Sequence, residues 1–166
     1  VRGEYSSMGP YSDNGNGTVI DHATGLTWPK NDNGNTYTWE EALSYCENLN
    51  MAGLSNWHLP DQRELQSLID PSRHEPSIHP IFNLMTTEFE YYYSSTTDSG
   101  FPQQINIVRF FNGKEYVGGK TDHRHVACVH NGYELSVVLD GTGKGSVSFS
   151  MPGNQCCLLY TSDAAD

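Results

Sequence analysis

Thr38-Trp39-Glu40-Glu41-Ala42-Leu43-Ser44-Tyr45-Cys46-Glu47-Asn48-Leu49-Asn50 is the stretch on which the fold turns. Thr38 followed three residues later by Glu41 is a capping box, in which each side chain satisfies a backbone N–H of the first turn. Trp39, Ala42, Leu43, Cys46 and Leu49 then recur at helical spacing and form one apolar face. The spacing predicts a helix over 38–50, with Gly53 available to end it. The cysteine in the middle of that face is either a small core hydrophobe or half of a cross-link.

Downstream, Trp57-His58-Leu59 reads as extended, and Pro60 opens a second helix. Asp61 and Glu64 repeat the cap, Leu65, Leu68 and Ile69 supply the buried face, and Pro71 stops it. Residues 71–89 alternate polar and proline punctuation with Ile78, Ile81 and Phe82, a long loop packed by its own apolar side chains. A β-rich part follows. Residues 89–97 contain Tyr91-Tyr92-Tyr93, residues 105–111 alternate, Asn112-Gly113 is a hairpin turn leading to Tyr116, and residues 125–130 close the module.

Upstream, Thr18-Val19-Ile20 and Leu26-Thr27-Trp28 read as two short strands around a five-residue loop, preceded by Asn-Gly turn formers. Residues 1–12 show no periodicity and read as a linker. Composition shifts after Gly132. Two strand-like runs around a Gly-rich turn make 133–156 a fragment of a second β-rich repeat. The last ten residues, 157–166, match the translation of a sequencing-library adapter, a string met at the ends of reading frames assembled from environmental DNA. The alternative is an ordinary polar tail. On the adapter reading Cys157 leaves the cysteine count, and the natural chain is expected to continue past Cys156.

Composition narrows the class. Of 166 residues 36% are hydrophobic, with 16 Gly, 10 Tyr and three Trp, which suits a turn-rich α+β domain whose core is filled by rings. A net charge of −11 repels phosphate backbones, so nucleic acid is not expected as a partner. No apolar run nears the roughly 20 residues a membrane span needs, so no membrane insertion is expected of this fragment.

Five segments in order carry a family resemblance. They are 13–21 with Thr24-Gly25-Leu26-Thr27-Trp28; Thr38-Trp39-Glu40-Glu41-Ala42 with Tyr45-Cys46; Asn56-Trp57-His58-Leu59-Pro60 with Glu64-Leu65; Tyr93-Ser94-Ser95-Thr96-Thr97; and Ala127-Cys128-Val129. Residues 13–131 resemble the Lcl C-terminal domain family, named after a bacterial collagen-like adhesin that binds sulfated glycosaminoglycans. The resemblance implies a C-type-lectin-like α+β module with two helices and a small, mostly antiparallel sheet, in a secreted or surface protein. It also implies a structural core of Trp28, Trp39, Trp57, Leu59 and Tyr93. The chain departs from the family at His58, Tyr93 and Ala127, where Arg, Trp and Arg are usual, so two cations of any polyanion site are missing. Residues 133–156 resemble the opening of a secreted bacterial repeat, through Gly141-Thr142-Gly143-Lys144-Gly145-Ser146-Val147, Pro152-Gly153 and Cys156.

The lectin-like fold brings its first helix against its closing strand, so the resemblance implies a Cys46–Cys128 disulfide. The alternative is two free buried thiols. A bridge would close a loop worth about 4 kcal/mol in the chain-entropy model and would imply an oxidising, extracytoplasmic compartment.

Chemistry-bearing motifs are sparse. Seven histidines include His123 and His125 beside Asp122, but no metal-ligand spacing is present, and solvated loop histidines explain them. The Asn/Asp/Gly clusters fail the calcium-loop spacing and are explained as turns. Ser94 to Thr97 is a hydroxyl cluster without a nucleophile turn, and a β-strand explains it. No metal, cofactor or catalytic group is expected. One local feature favours binding: Arg109, Lys114, Lys120 and Arg124 lie against only Glu115 and Asp122 in a strongly acidic chain. With Gln103, Gln104, Tyr116 and His123 they form the candidate ligand surface, in loops between about 98 and 125. A solvated loop with scattered charges is the bland alternative. The expected function is recognition of a glycan or a cell-surface ligand. A structural or protein–protein interaction domain is the rival, and homo-oligomerisation is left open.

Overall fold

The computed structural model describes residues 10–132 with their side chains, and the backbone of 134–139, 145–151 and 154–156. Residues 1–9 of the linker expected over 1–12, and the tail 157–166 expected to be adapter-derived, lie outside the described residues. The chain divides between His130 and Asn131 into two compact units. In the second unit, strands β8 (Glu134–Leu139), β9 (Gly145–Met151) and β10 (Asn154–Cys156) form an antiparallel sheet in the order β10-β9-β8. β10 has no counterpart in the strands expected from sequence.

The first unit is an α+β domain of two short helices and antiparallel sheets. Strand β1 (Tyr11–Asp13) pairs with β2 (Thr18–Asp21), which pairs with β3 (Leu26–Pro29), and Val19 faces Trp28. Tyr11 and Ser12, expected in a linker, therefore belong to an edge strand of the domain. Helix α1 spans Trp39–Glu47 and α2 spans Gln62–Gln66, and both carry complete capping boxes, from Thr38 to Glu41 and from Asp61 to Glu64. Both helices are shorter than expected. α1 ends at Asn48, whose amide N–H and side chain both donate to the Ser44 carbonyl, and Gly53 serves a later turn instead.

A second sheet, β4 (Tyr92–Thr97), β5 (Gln104–Arg109) and β6 (Lys114–Gly119), is an antiparallel meander. One small sheet was expected; there are two, because the closing strand β7 (His130–Asn131) joins β3 rather than the meander. The β5–β6 turn at Asn112-Gly113 needs a glycine twice over. Gly113 has φ +66°, and a Cβ there would come within 3.0 Å of Ile69.

Strand alternation decides where the core sits. Tyr92, Val108 and Phe110 point into one cluster with Val19, Trp28, Leu65 and Leu68. Their neighbours Tyr93, Ile105 and Ile107 point into the other, with Ala42, Cys46, Trp57 and Leu59. β4 and β5 are thus an inner layer covered on both faces, which explains why Tyr92 and Tyr93 are both fully buried. The register of β4 on β5 shifts between Tyr93 and Thr97. This irregular stretch receives both helices. The Trp39 indole N–H donates to the Ser94 carbonyl (3.0 Å), and the Gln62 amide donates to the Thr96 hydroxyl (3.0 Å). The hydroxyl cluster is therefore structural. Of the expected core residues, Trp28, Trp57, Leu59 and Tyr93 are buried, and Trp39 is half-buried against the second cluster.

The closing segment stitches the layers together. Arg124 pairs with Tyr37, His125 lies alongside Tyr92, Val129 pairs with His58, and β7 reaches β3. In its middle, Cys128 is bonded to Cys46, with S–S 2.06 Å and Cα atoms 5.4 Å apart.

Candidate functional site

The basic residues expected to face a ligand do not form one surface. Gln104 faces Gly119 at one end of β5 and Arg109 faces Lys114 at the other, about 17 Å apart at some 3.3 Å per residue. Arg109 is held from three sides. It donates to the Glu88 carbonyl (2.8 Å), the Tyr116 hydroxyl (2.6 Å) and the Asn112 side-chain oxygen (3.2 Å), and its guanidinium lies over Tyr116 and Tyr91. Arg124 lies over the same Tyr91 ring at 4.8 Å and donates to Asp122 at 2.8 Å. Lys120 rests on the Trp39 ring at 4.5 Å. Three of the four cations are thus committed to internal contacts. Lys114 is exposed at the hairpin turn, and Gln103 and Gln104 are exposed at the far end beside Phe101, itself 65% exposed. His123 is exposed and belongs to a different feature.

That feature is an open groove of about 700 Å³ along α1, lined among others by Asn35, Tyr37, Glu40, Glu41, Tyr45 and His123. The Tyr37 and Tyr45 rings stack at 4.9 Å with planes 27° apart. Tyr37 is fixed further by a hydrogen bond that its hydroxyl accepts from Asn33 (2.9 Å) and by its backbone ladder with Arg124. The Glu41 carboxylate accepts from the Thr38 amide and hydroxyl at 2.8 and 2.9 Å. These bonds, with the nearby His123, hold its carboxyl below the usual range. The groove therefore has an ordered aromatic wall and an ionised polar rim. Sequence reasoning missed it. The usable signal was that Tyr45, Glu40, Glu41 and Ser44 all fall off the apolar stripe of α1, leaving an aromatic on a polar face.

A second unforeseen feature is buried. His125, expected in solvent, is 5% exposed, because it precedes the apolar run 126–129 that threads between the two clusters. Its Nε2 contacts the Glu90 carboxylate and its Nδ1 lies 3.4 Å from Asp32. Asp32 also accepts from the Tyr92 hydroxyl (2.5 Å) and the Gly34 amide (2.5 Å). The Asp32 carboxylate beside Nδ1 does most to raise the His125 pKa, against the opposing effect of burial, and Glu90 adds to the rise. Burial disfavours an ionised Asp32, but the adjacent His125 and the hydrogen bonds from Tyr92 and Gly34 outweigh it and hold the carboxyl below its ordinary value. Beside this network lies a narrower cavity of about 180 Å³, where Asp32 meets Leu49, Met51, Leu84 and Cys128. Among the described residues no group of three or more His, Cys, Asp or Glu side chains could hold a metal ion, and no helix is long and apolar enough to cross a membrane.

Residues 17–130 match the family model described as the Lcl C-terminal domain. No curated protein matches the chain.

Proposed function

The chain belongs to the Lcl C-terminal domain family, and from that premise we propose that it is a non-catalytic, C-type-lectin-like binding module that works outside the cytoplasm and recognises a glycan or cell-surface ligand. The observation that carries this reading is the groove along α1, about 700 Å³ in volume and walled by the stacked Tyr37 and Tyr45. An open groove with an aromatic wall and a few fixed polar groups offers a small ligand or a sugar both apolar contact and oriented hydrogen bonds. The Cys46–Cys128 bond ties the helix that bears the groove to the closing segment, and it suits an oxidising compartment.

The polar groups of the groove argue for binding over catalysis. Glu41 is held ionised by Thr38 with its pKa lowered, which leaves it no proton to donate as a general acid and makes it a weaker base than a free carboxylate. Among the described residues no hydrogen bond joins the Ser44 hydroxyl to His123, so the pair lacks the link of an activated nucleophile. The groove also replaces the hairpin as the preferred surface, since the hairpin cations are turned to internal rings and carbonyls.

A glycan array probed with the chain, with and without chelator, tests the reading. Binding that survives chelation and persists in the Lys114→Ala, Lys120→Ala variant is expected. Loss in that variant would return the site to the hairpin, and silence on every glycan would leave the protein–protein interaction domain as the better account.

A further inference from the structure

Resting on the groove as the binding site, we infer that its ligand is a glycan of uncharged sugars and that sulfated glycans are excluded from it. The inference combines three observations. The wall is the Tyr37–Tyr45 pair; each ring covers one face of the other, and the surface that this half-buried pair leaves open can meet the C–H face of a pyranose ring, a contact that needs no charge. The rim carries Glu40 and Glu41, and Glu41 is ionised. Carboxylates are acceptor-only groups with several lone pairs, so they take hydrogen bonds from sugar hydroxyls and repel sulfate. Asn35, on the same rim, can both donate and accept.

The third observation is where the positive charge has gone. A sulfate-binding groove needs guanidinium or ammonium groups aimed into it. Arg109 and Arg124 are turned to Tyr91, and Lys120 to Trp39. Lys114, the exposed one of the four, sits at the hairpin turn and does not line the groove. The remaining basic group on the rim, His123, faces the carboxylate of Glu41. The whole chain carries −11, so the long-range field also opposes a polyanion.

The test is calorimetric titration of the intact chain with oligomers of N-acetylglucosamine, glucose and mannose, and separately with heparin, each at low and high salt. At least one neutral oligomer is expected to bind with an affinity that salt leaves unchanged, while heparin gives no heat. Tyr45→Ala should weaken the neutral ligand by roughly 10-fold. Because Tyr45 also packs on the core, the exposed Glu40→Lys provides an independent arm: it should keep the fold and let salt-sensitive heparin binding appear. Heparin binding the unaltered chain more tightly than every neutral oligomer, with loss at high salt, would overturn the inference and leave the glycan reading intact. No heat with any saccharide would remove both.

Discussion

The two faces of the β4–β5 layer are held by different means. On one face, Val19, Trp28, Leu65, Leu68, Tyr92, Val108 and Phe110 pack without a covalent tie, and a buried polar network of Asp32, Tyr92, His125 and Glu90 borders them. On the other face, Ile105, Ile107, Tyr93, Trp57 and Leu59 surround the Cys46–Cys128 bond. The cystine core carries the groove-bearing helix. A nine-residue helix is too short to be stable alone, so packing and the cross-link must hold it in place. The other core carries the first hairpin and α2, and depends on burial and on hydrogen bonds that are sensitive to protonation.

The largest effect should come from breaking the covalent difference. Replacing Cys46 and Cys128 together by Ala should lower unfolding stability by about 4 kcal/mol, as the chain-entropy model gives for a loop of this length, measured by denaturant unfolding against the oxidised chain. The same variant should lose ligand affinity at the groove, because α1 is no longer tied to the closing segment.

Adjacent residues on β5 sharpen the comparison. Ile107→Ala and Val108→Ala each remove a buried side chain, at a cost of about 2–3 kcal/mol, from opposite faces. Measured with and without the disulfide, Ile107→Ala should couple to it by about 0.5 kcal/mol or more, and Val108→Ala should add independently. Equal coupling on both faces would show that the layer transmits strain and that the cores are not distinct.

The uncross-linked face should also be the pH-sensitive one. The raised pKa of His125 contributes stability that is fully present below the unfolded value near 6.5 and is lost as pH rises through the folded value. The lowered pKa of Asp32 contributes stability present above about 3.8 and lost as pH falls further. Stability from this network should therefore peak between those limits. In His125→Phe the alkaline decline should flatten, with a loss of about 1–3 kcal/mol near pH 5.5, read from thermal unfolding across pH. The smallest effect belongs to the helix caps. Thr38→Ala and Asp61→Ala should each cost about 1 kcal/mol, and Thr38→Ala alone should disturb the groove, because it removes the hydroxyl bond to Glu41 and leaves that carboxylate the Thr38 backbone N–H alone.

Much of this architecture was legible in short stretches. Both capping boxes, the hairpin pairing Val19 with Trp28, and the Asn112-Gly113 turn depend on residues a few positions apart, and each formed where its local chemistry placed it. The order of five motifs identified the family, and through it the disulfide. The candidate site was less legible. Arg109, Lys120 and Arg124 look free in the chain because, beside nearer contacts, each is held by a distant partner, the Glu88 carbonyl, Trp39 and Tyr91, which lie 21, 81 and 33 positions away. His125 looked solvated for the same reason.

By itself, then, the sequence determined the local elements, the family and the acidic character of the surface, since those follow from neighbouring residues or from simple sums of charge. Only the tertiary structure decided that β4 and β5 are buried on both faces, that three cations rest on aromatic rings, that His125 lies between two carboxylates, and that Tyr37 and Tyr45 wall a groove. Each of these depends on which layer comes to lie against which. That is set by the joint burial of many side chains far apart in the chain, and no short segment encodes it.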